Sequence, residues 1–328
     1  MSDRPYLLPF EKPIYELEVR LEELQKAAGV RLAGSDESKR LRREIDELRR
    51  KVFANLTAWE TVQVARHKDR PQTKDYLDLA FDEFVELHGD RAFGDDRALL
   101  CGFARLGDFK LMVVGHAKGK NLKERSECFY GCAHPEGYRK ALVKMKLAEK
   151  YRLPVLCLID TPGAYPGIAA EERGQSLAIA VNLLEMSRLR TPIICTVIGE
   201  GGSGGALGVG VGDRICMLEH AYYSVISPEG CSGILWKNAD QNKSKAAEAL
   251  RLTSKDLKRL GVIDDVVMEP SGGAHRDHRQ TALSLKMQWT RYLRELSAIP
   301  SDELVAARHE KFRRMGVFDV GEIEANGV

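Results

Sequence analysis

The sequence lacks a long apolar segment and a strong charge of either sign. No apolar run reaches the roughly 18 residues that a membrane-spanning helix requires, and the N-terminal stretch carries acids and prolines where a secretory signal needs a basic start and an apolar run. The 50 Lys and Arg residues nearly balance the 48 Asp and Glu residues, so the formal net charge is +2. Overall charge therefore provides no attraction to nucleic acid or to an anionic membrane, and we expect a cytoplasmic protein.

Cysteine is also scarce, with seven residues in the chain. Several lie inside apolar runs, as Cys157 and Cys195 do, which predicts reduced core residues. The one close pair is Cys128 and Cys132, followed by His134. Because no second CxxC or HxxxH motif is present to complete a tetrahedral site, we expect no metal site in this chain.

Hydrophobic periodicity predicts an N-terminal helical hairpin. Apolar residues recur at three- and four-residue steps through 14–24 and 41–56, with a break at 34–36. Glu, Lys and Arg crowd the outer positions, so we expect the hairpin to pack on the body or on a partner, with no direct chemical role. Another helical pattern covers 74–87.

From about residue 95 the pattern changes to alternating strands and helices, which favours an α/β core with a parallel sheet covered on both faces. The first two strands, 98–106 and 110–117, are predicted to form a hairpin. Further strands are predicted at 154–159, 192–198, 214–218 and 222–226, and helices at 136–151, 175–189, 204–211, 274–296 and 301–314, the last capped by Ser301. We therefore divide the chain into a helical arm (1–94), an α/β core (95–268) and a C-terminal helical segment (269–328).

Two loops, 160–167 and 199–207, follow predicted strand ends, where open α/β sheets bind ligands. The second loop is rich in glycine, and this density costs backbone entropy on folding. Main-chain N–H groups directed at an anion or a developing oxyanion would explain it, because the start of a helix carries partial positive charge. Close packing of helix on sheet is the alternative explanation.

The second loop matches two other known patterns. Gly199-x-Gly201-x-x-Gly204 fits the dinucleotide-binding fingerprint, with Glu219 about twenty residues further on. In a run this rich in glycine the match is nearly automatic, and the fingerprint normally opens the first βαβ unit of a fold.

The other pattern, Gly201-x-Ser203-x-Gly205, is that of a serine hydrolase nucleophile elbow. Later residues that could complete a triad are Asp213 and one of His220, His275 and His278. An elbow needs a strained turn directly off its strand, whereas the predicted strand ends at Ile198 and loose glycines follow it. A serine hydrolase using Ser203 remains the alternative function. Stabilisation of an oxyanion by N–H groups from both loops uses both loops together.

Four segments in order carry a resemblance to a known family: IDTPGAYPG at 159–167, EERGQ at 171–175, GEGGSGGAL at 199–207 and YSVISPEGC at 223–231. Together they resemble the α subunits of bacterial-type acetyl-CoA carboxylase carboxyltransferases. The likeness extends from the helical hairpin through GGAHRD at 272–277. It implies a crotonase-like (ClpP/crotonase) spiral core with an N-terminal helical hairpin and C-terminal helices.

The resemblance also implies an activity. Such a subunit transfers the carboxyl group of carboxybiotin, carried on a separate biotin carboxyl carrier protein, to acetyl-CoA, which gives malonyl-CoA for fatty acid synthesis. It is active only with a β subunit, in an expected α2β2 assembly. Zinc is expected on that partner only, and no cofactor is expected to be bound covalently in this chain.

Carried onto this sequence, the family's oxyanion pocket is built from the N–H groups of Gly204 and Gly205, with Gly163 and Ala164 facing them. These donors would stabilise the negative charge that grows on the ureido oxygen of biotin. The residues expected to line the substrate site are Gly201, Gly202, Ser203, Tyr165, Pro166, Glu229 and Gly230.

Two further segments keep alternative interpretations, and a third departs from the family pattern. Residues 227–230 form either a turn or part of the pocket wall. The basic residues of one loop contact CoA phosphates or are simply solvated: Lys118, Lys120, Lys123 and Arg125. Cys132 and His134 stand where the family pattern leads us to expect a Met-like and a small residue.

Overall fold

The computed structural model describes residues 6–28 and 36–316. At the N-terminal end, α1 (Lys12–Ala28) packs against α2 (Asp36–Ala54), as the periodicity predicts. The first two residues of the predicted break, 34–35, lie outside the described residues. At this end of the chain, buried apolar side chains form one cluster: Leu8, Ile14, Leu41, Ile45, Phe53 and Val64.

A single mixed sheet organises the core. Its strands are β1 (Glu83–Glu86), β2 (Leu99–Leu106), β3 (Phe109–His116), β4 (Val155–Thr161), β5 (Ile193–Gly202), β6 (Arg214–Leu218), β7 (Tyr222–Ser224) and β8 (Asp265–Val267). The order is β1-β2-β3-β4-β5-β6-β8, and β7 pairs with the last residues of β5. The first three strands are antiparallel, and the pairs from β3 onward are parallel. Every residue of β4 and β5 is buried, which is typical of parallel strands covered on both faces.

Helices cover this sheet. They are α3 (Ala58–Ala65), α4 (Thr73–Ala80), α5 (Leu122–Glu127), α6 (Pro135–Lys150), α7 (Ile168–Glu172), α8 (Gln175–Arg188), α9 (Ser203–Leu207), α10 (Pro228–Leu235), α11 (Ala239–Ala249), α12 (Ser254–Arg259), α13 (His278–Ser297) and α14 (Ser301–Arg313). Within the described ranges, no helix is long and apolar enough to cross a bilayer. Trp289 of α13 donates a hydrogen bond to Thr196 Oγ1 of β5 at 2.9 Å, so this C-terminal helix packs into the same core as the sheet.

The helix predicted for 74–87 is wrong beyond Ala80. That helix, α4, ends there, and β1 then pairs with β2 along the edge of the sheet. The ring of Phe84 occupies the space that Gly102 leaves open, since a Cβ at Gly102 would lie 2.6 Å from that ring. Four residues of alternating burial are too short a pattern to stand out beside the preceding helical one.

Several other predicted boundaries also shift. The strand predicted for 222–226 ends at Ser224, and α10 follows it. The first residue of α14 is Ser301, but Pro300 occupies the capping position and no side chain caps the helix. The sequence did not predict the following helices: α3, α5, α7, α10 and α11.

Arg308 fastens the C-terminal helix to the core. Its guanidinium is fully buried and binds both oxygens of Asp213 at 2.8 Å. It also donates to the carbonyls of Met186, Leu189 and Thr191 at 2.7 to 2.9 Å. One side chain therefore joins α14 to the end of α8 and to the starts of β5 and β6.

We expect Arg308→Met to destabilise the chain by about 3–5 kcal/mol, because the Asp213 carboxylate would stay buried without its partner. The free energy of unfolding, measured by urea denaturation, tests this. Arg190→Met is the matched control, since Arg190 pairs with Asp302 of the same helix in an exposed position. That variant should lose less than about 1 kcal/mol, and equal losses in the two variants would contradict the assignment.

Candidate functional site

The main chains of the two loops predicted from the sequence, 160–167 and 199–207, are in direct contact. A Cβ at Gly205 would lie 2.6 Å from the amide nitrogen of Ala164 and 2.8 Å from the Cα of Gly163. A Cβ at Gly202 would lie 2.9 Å from the carbonyl oxygen of Thr161. Strands β4 and β5 are parallel neighbours, so their ends bring the loops to the same edge of the sheet. Only residues without a side chain allow this approach.

The four predicted oxyanion donors are not equivalent. Gly204 and Gly205 are the second and third residues of α9, where N–H groups have no acceptor within the helix. Gly163 donates its N–H to Thr161 Oγ1 at 3.1 Å, and the Thr161 hydroxyl donates to the Gly163 carbonyl at 2.8 Å. The Gly163 amide is therefore engaged inside its own loop, which leaves Ala164 as the better placed donor from that loop.

Ser203 lies in a turn that the sequence did not reveal. Strand β5 continues through Gly202, because Gly201 and Gly202 pair with β7. Ser203 follows directly with a φ of 48°, a left-handed conformation that is uncommon for a residue with a side chain. The expectation that loose glycines separate the serine from its strand is therefore wrong, and the turn has the shape of a nucleophile elbow.

The partners that an elbow needs are engaged elsewhere. Asp213 binds Arg308, the ring of His275 lies 3.6 Å from Glu11, and His278 contacts the carbonyl of Asp69 at 2.7 Å. The ring of His220 packs on Phe53. No hydrogen bond from these groups to Ser203 is present in the described part of the chain, so the geometry does not assemble a catalytic triad.

The other predicted binding residues fall into two places. Tyr165 lies in the first loop, where its ring stacks on His134 with the centroids 4.1 Å apart, and Pro166 of the same loop is exposed. Glu229 instead binds Arg66 at 2.5 Å. Gly230 donates its N–H to Ser227 Oγ at 3.0 Å, and Ser227 thereby caps α10. Residues 227–230 are thus the start of a helix.

An apolar cavity of about 510 Å³ opens beside α9. Ser203 and Gly204 form one side of it, next to the proposed amides. The remaining walls come from Leu207, Gly210, Ile215, Tyr223, Ser224, Val225, Leu250, Leu257, Val262, Phe312 and Met315. A predominantly apolar space next to a few directed polar groups is the usual form of a small-molecule site.

A second cavity, of about 380 Å³, is lined by charged residues, of which the sequence had pointed only to Lys118 and Arg125. Lys118, Asp160 and Glu200 are in mutual contact there, and Arg66 adjoins them. Burial would raise the pKa of Glu200, but Lys118 and Arg66 lower it to about 2. Burial would lower the pKa of Lys118, and Asp160 and Glu200 raise it above its ordinary value. The sequence carries one signal for this cluster, since a single acidic residue, Asp160 or Glu200, stands at or just after the end of each of two apolar strands.

One cluster in the described residues has the composition of a metal site. Ligand atoms of Glu11, His67 and His275 lie within 4.8 Å of one another. The His67 ring already contacts the carbonyl of Tyr6 and the N–H of Asp69, each at 3.2 Å. It also stacks on His275, with the ring centroids 3.9 Å apart, so both rings are packed against neighbouring groups. The arrangement is better explained as packing between the N-terminal arm and the core.

Comparison with known proteins places the chain among carboxyltransferases. Residues 7–316 match the family model described as acetyl co-enzyme A carboxylase carboxyltransferase-like. Two similar proteins are named acetyl-coenzyme A carboxylase carboxyl transferase subunit alpha. The one from Rhodopirellula baltica is 59% identical over 318 residues, which cover 95% of this chain and 97% of the relative. The one from Methylococcus capsulatus is 54% identical over 313 residues, with coverage of 95% and 97%.

Solved structures share the fold at lower identity. Transcarboxylase 12S, with methylmalonyl-coenzyme A and methylmalonic acid bound, has a TM-score of 0.54 and 21% identity over 67% of this chain and 42% of that one. A chain of a Pseudomonas malonate decarboxylase hetero-tetramer has a TM-score of 0.54 and 15% identity over 66% of this chain and 86% of that one. These similarities confirm the predicted crotonase-like α/β core.

We expect Gly205→Ala to destabilise the chain by about 1–3 kcal/mol, because its Cβ would overlap the main chain of the first loop. Gly204→Ala is the control. Its Cβ would lie 3.5 Å from the nearest atom, in Ile179, at an ordinary contact distance. That variant should stay within about 0.5 kcal/mol of the original chain. Urea denaturation of both variants measures the difference, and equal stabilities would show that the loops do not need this close approach.

Proposed function

The chain belongs to the acetyl-CoA carboxylase carboxyltransferase α-subunit family, and we propose that its two loops, 160–167 and 199–207, serve carboxyl transfer from carboxybiotin to acetyl-CoA. The observation that carries the proposal is the backbone contact between Gly205 and residues 163–164. It gathers N–H groups from two loops at one place, beside a cavity large enough for a bicyclic ring.

The reaction makes a specific demand on those N–H groups. When the bond from the biotin ureido nitrogen to the carboxyl carbon breaks, its electron pair stays on the ureido group and negative charge grows on the ureido oxygen. A fixed N–H donor at that oxygen lowers the barrier by roughly 3–4 kcal/mol. Gly204, Gly205 and Ala164 are the donors that we assign, with Gly163 shaping the loop. Malonyl-CoA forms when the deprotonated methyl carbon of acetyl-CoA takes up the carboxyl group, and the proton passes to the biotin nitrogen.

The proposed substrates arrive from outside this chain. Carboxybiotin enters as a substrate on a biotin carboxyl carrier protein, and we assign zinc to the β subunit only. For the wall of the site we retain Gly201, Gly202, Ser203, Tyr165 and Pro166. Glu229 and Gly230 are better explained by the capping of α10 and the ion pair with Arg66.

An exposed apolar stripe on α8 supports a partner subunit beside the site. Leu177, Val181 and Leu184 recur at helical spacing and are 68%, 37% and 47% exposed. Leu207 of α9, 41% exposed, presents a further apolar surface on the helix that carries the Gly204 and Gly205 amides. Contiguous exposed apolar surface is typical of a protein interface. We propose that the β subunit covers this face in an α2β2 assembly, which would exclude water from the amides.

Malonyl-CoA should form from carboxybiotin and acetyl-CoA only when this chain is mixed with its β subunit. In that assay Ser203→Ala should change kcat by less than about tenfold, because the proposed chemistry needs no hydroxyl nucleophile. The rate of malonyl-CoA formation is the measurement. A fall of several orders of magnitude in Ser203→Ala would instead favour the serine hydrolase. Absence of transfer in the reconstituted pair would refute the proposed function.

Leu184→Glu should weaken association with the β subunit at least about tenfold, since it would place an unpaired charge in an apolar interface. Val85→Glu is the control, because Val85 is also exposed, at 62%, but lies on the edge strand β1. Analytical ultracentrifugation of each variant with the β subunit gives the dissociation constant. Equal binding by the two variants would place the partner on another face.

A further inference from the structure

A buried lysine connects the strands that carry the two loops. Lys118 Nζ donates to Asp160 Oδ1 at 3.0 Å and to Glu200 Oε1 at 2.5 Å. The main-chain N–H of Glu200 donates to the same Asp160 oxygen at 2.9 Å. One ammonium group therefore joins the end of β4 to the end of β5, from a position just after β3.

The second oxygen of Glu200 is also fully engaged. It accepts hydrogen bonds from Arg66 Nε and from the Tyr222 hydroxyl, both at 2.7 Å. The side chains of Asp160 and Glu200 are only 6% and 7% exposed, and that of Lys118 is 18% exposed. Buried charges are costly unless each is paired in good geometry, so this set tolerates few alternative arrangements.

The cluster lies at the base of both loops. Asp160 stands three residues before Gly163, and Glu200 stands four before Gly204. Gly199 packs directly on the Asp160 side chain, because a Cβ at Gly199 would lie 2.5 Å from Asp160 Oδ1. A shift of one strand end relative to the other would therefore move one set of amides relative to the other.

The inward position of Lys118 separates it from the other basic residues of its loop. Lys120 is exposed and pairs with Asp75, and Arg125 donates to the carbonyl of Gly119 at 3.3 Å. Of Lys118, Lys120 and Arg125, Lys118 alone binds two carboxylates from the sheet, so contact with a CoA phosphate is not its role.

We propose that Lys118 is a positioning residue for carboxyl transfer, which sets the spacing between the Ala164 amide and the Gly204 and Gly205 amides by joining Asp160 to Glu200. The inference rests on the proposed function. Oxyanion donors act at 2.7–3.1 Å from the developing charge, and a misplacement of about 1 Å costs up to about 100-fold in rate. Loss of the lysine should therefore lower kcat strongly and change the KM for the substrate only slightly.

The test compares Lys118→Met with Lys311→Met in the complex with the β subunit. Lys311 is a matched lysine, 16% exposed and paired with Asp264, but it lies on α14. We expect Lys118→Met to lower kcat about 10- to 100-fold, with the KM for acetyl-CoA changed less than about threefold. Lys118→Arg, which keeps the charge, should recover part of the loss. Lys311→Met should stay within about twofold of the original kcat.

Amide hydrogen exchange provides a readout that is independent of activity. Peptides covering 160–167 and 203–208 should exchange about tenfold faster in Lys118→Met, and should be unchanged in Lys311→Met. The positioning role would be overturned if these peptides exchanged in Lys118→Met at the rate of the original chain, or if exchange became equally faster in both variants. This holds even if the complex proved inactive. Inactivity of the original complex would refute only the proposed function. If Lys118→Met fails to fold, Glu200→Gln serves the same comparisons, with the same outcomes.

Discussion

The site depends on the close packing of Gly205 against the main chain of Gly163 and Ala164. Parallel strands bring their ends to one edge of a sheet, but side chains normally keep the following loops apart. Here the missing Cβ lets α9 approach the first loop at backbone distance. The conformational entropy that glycine loses on folding is the cost of this approach. In return, main-chain groups from two separate loops become neighbours.

Charge pairing supports the same contact from beneath. Lys118, Asp160 and Glu200 join the ends of β3, β4 and β5, and Arg66 extends the network to the end of α3. An apolar cluster in that place would pack but would not specify one arrangement, because dispersion contacts are non-directional. Fully paired hydrogen-bonded charges have few alternative geometries. The ends of β4 and β5, which carry the two loops, therefore have little freedom to move relative to each other.

Local patterns account for the parts of the fold that the sequence predicted well. A pattern of a few consecutive residues is enough to predict each of three features: the β2–β3 hairpin, the buried strand β4 and the glycine-rich loop. Non-local contacts account for what was missed. Gly201 and Gly202 resemble loose loop residues in the sequence, yet they extend β5 because they pair with β7 residues 22 positions further along the chain. Lys118 likewise looks like one member of a basic loop, since only the folded sheet supplies its two carboxylates.

At Ser203 the backbone geometry and the available side-chain chemistry point to different functions. A strained serine between a strand and a helix has the form of a nucleophile elbow, but a hydroxyl at neutral pH reacts only when a base removes its proton. Asp213 is held by Arg308, and His275 packs between the N-terminal arm and the core. Among the described residues no base forms a hydrogen bond with Ser203, and the turn starts α9 directly at the strand end. In the proposed function, the same strand, turn and helix present main-chain N–H groups to an oxygen that gains charge, where a hydrolase would present an oxygen nucleophile.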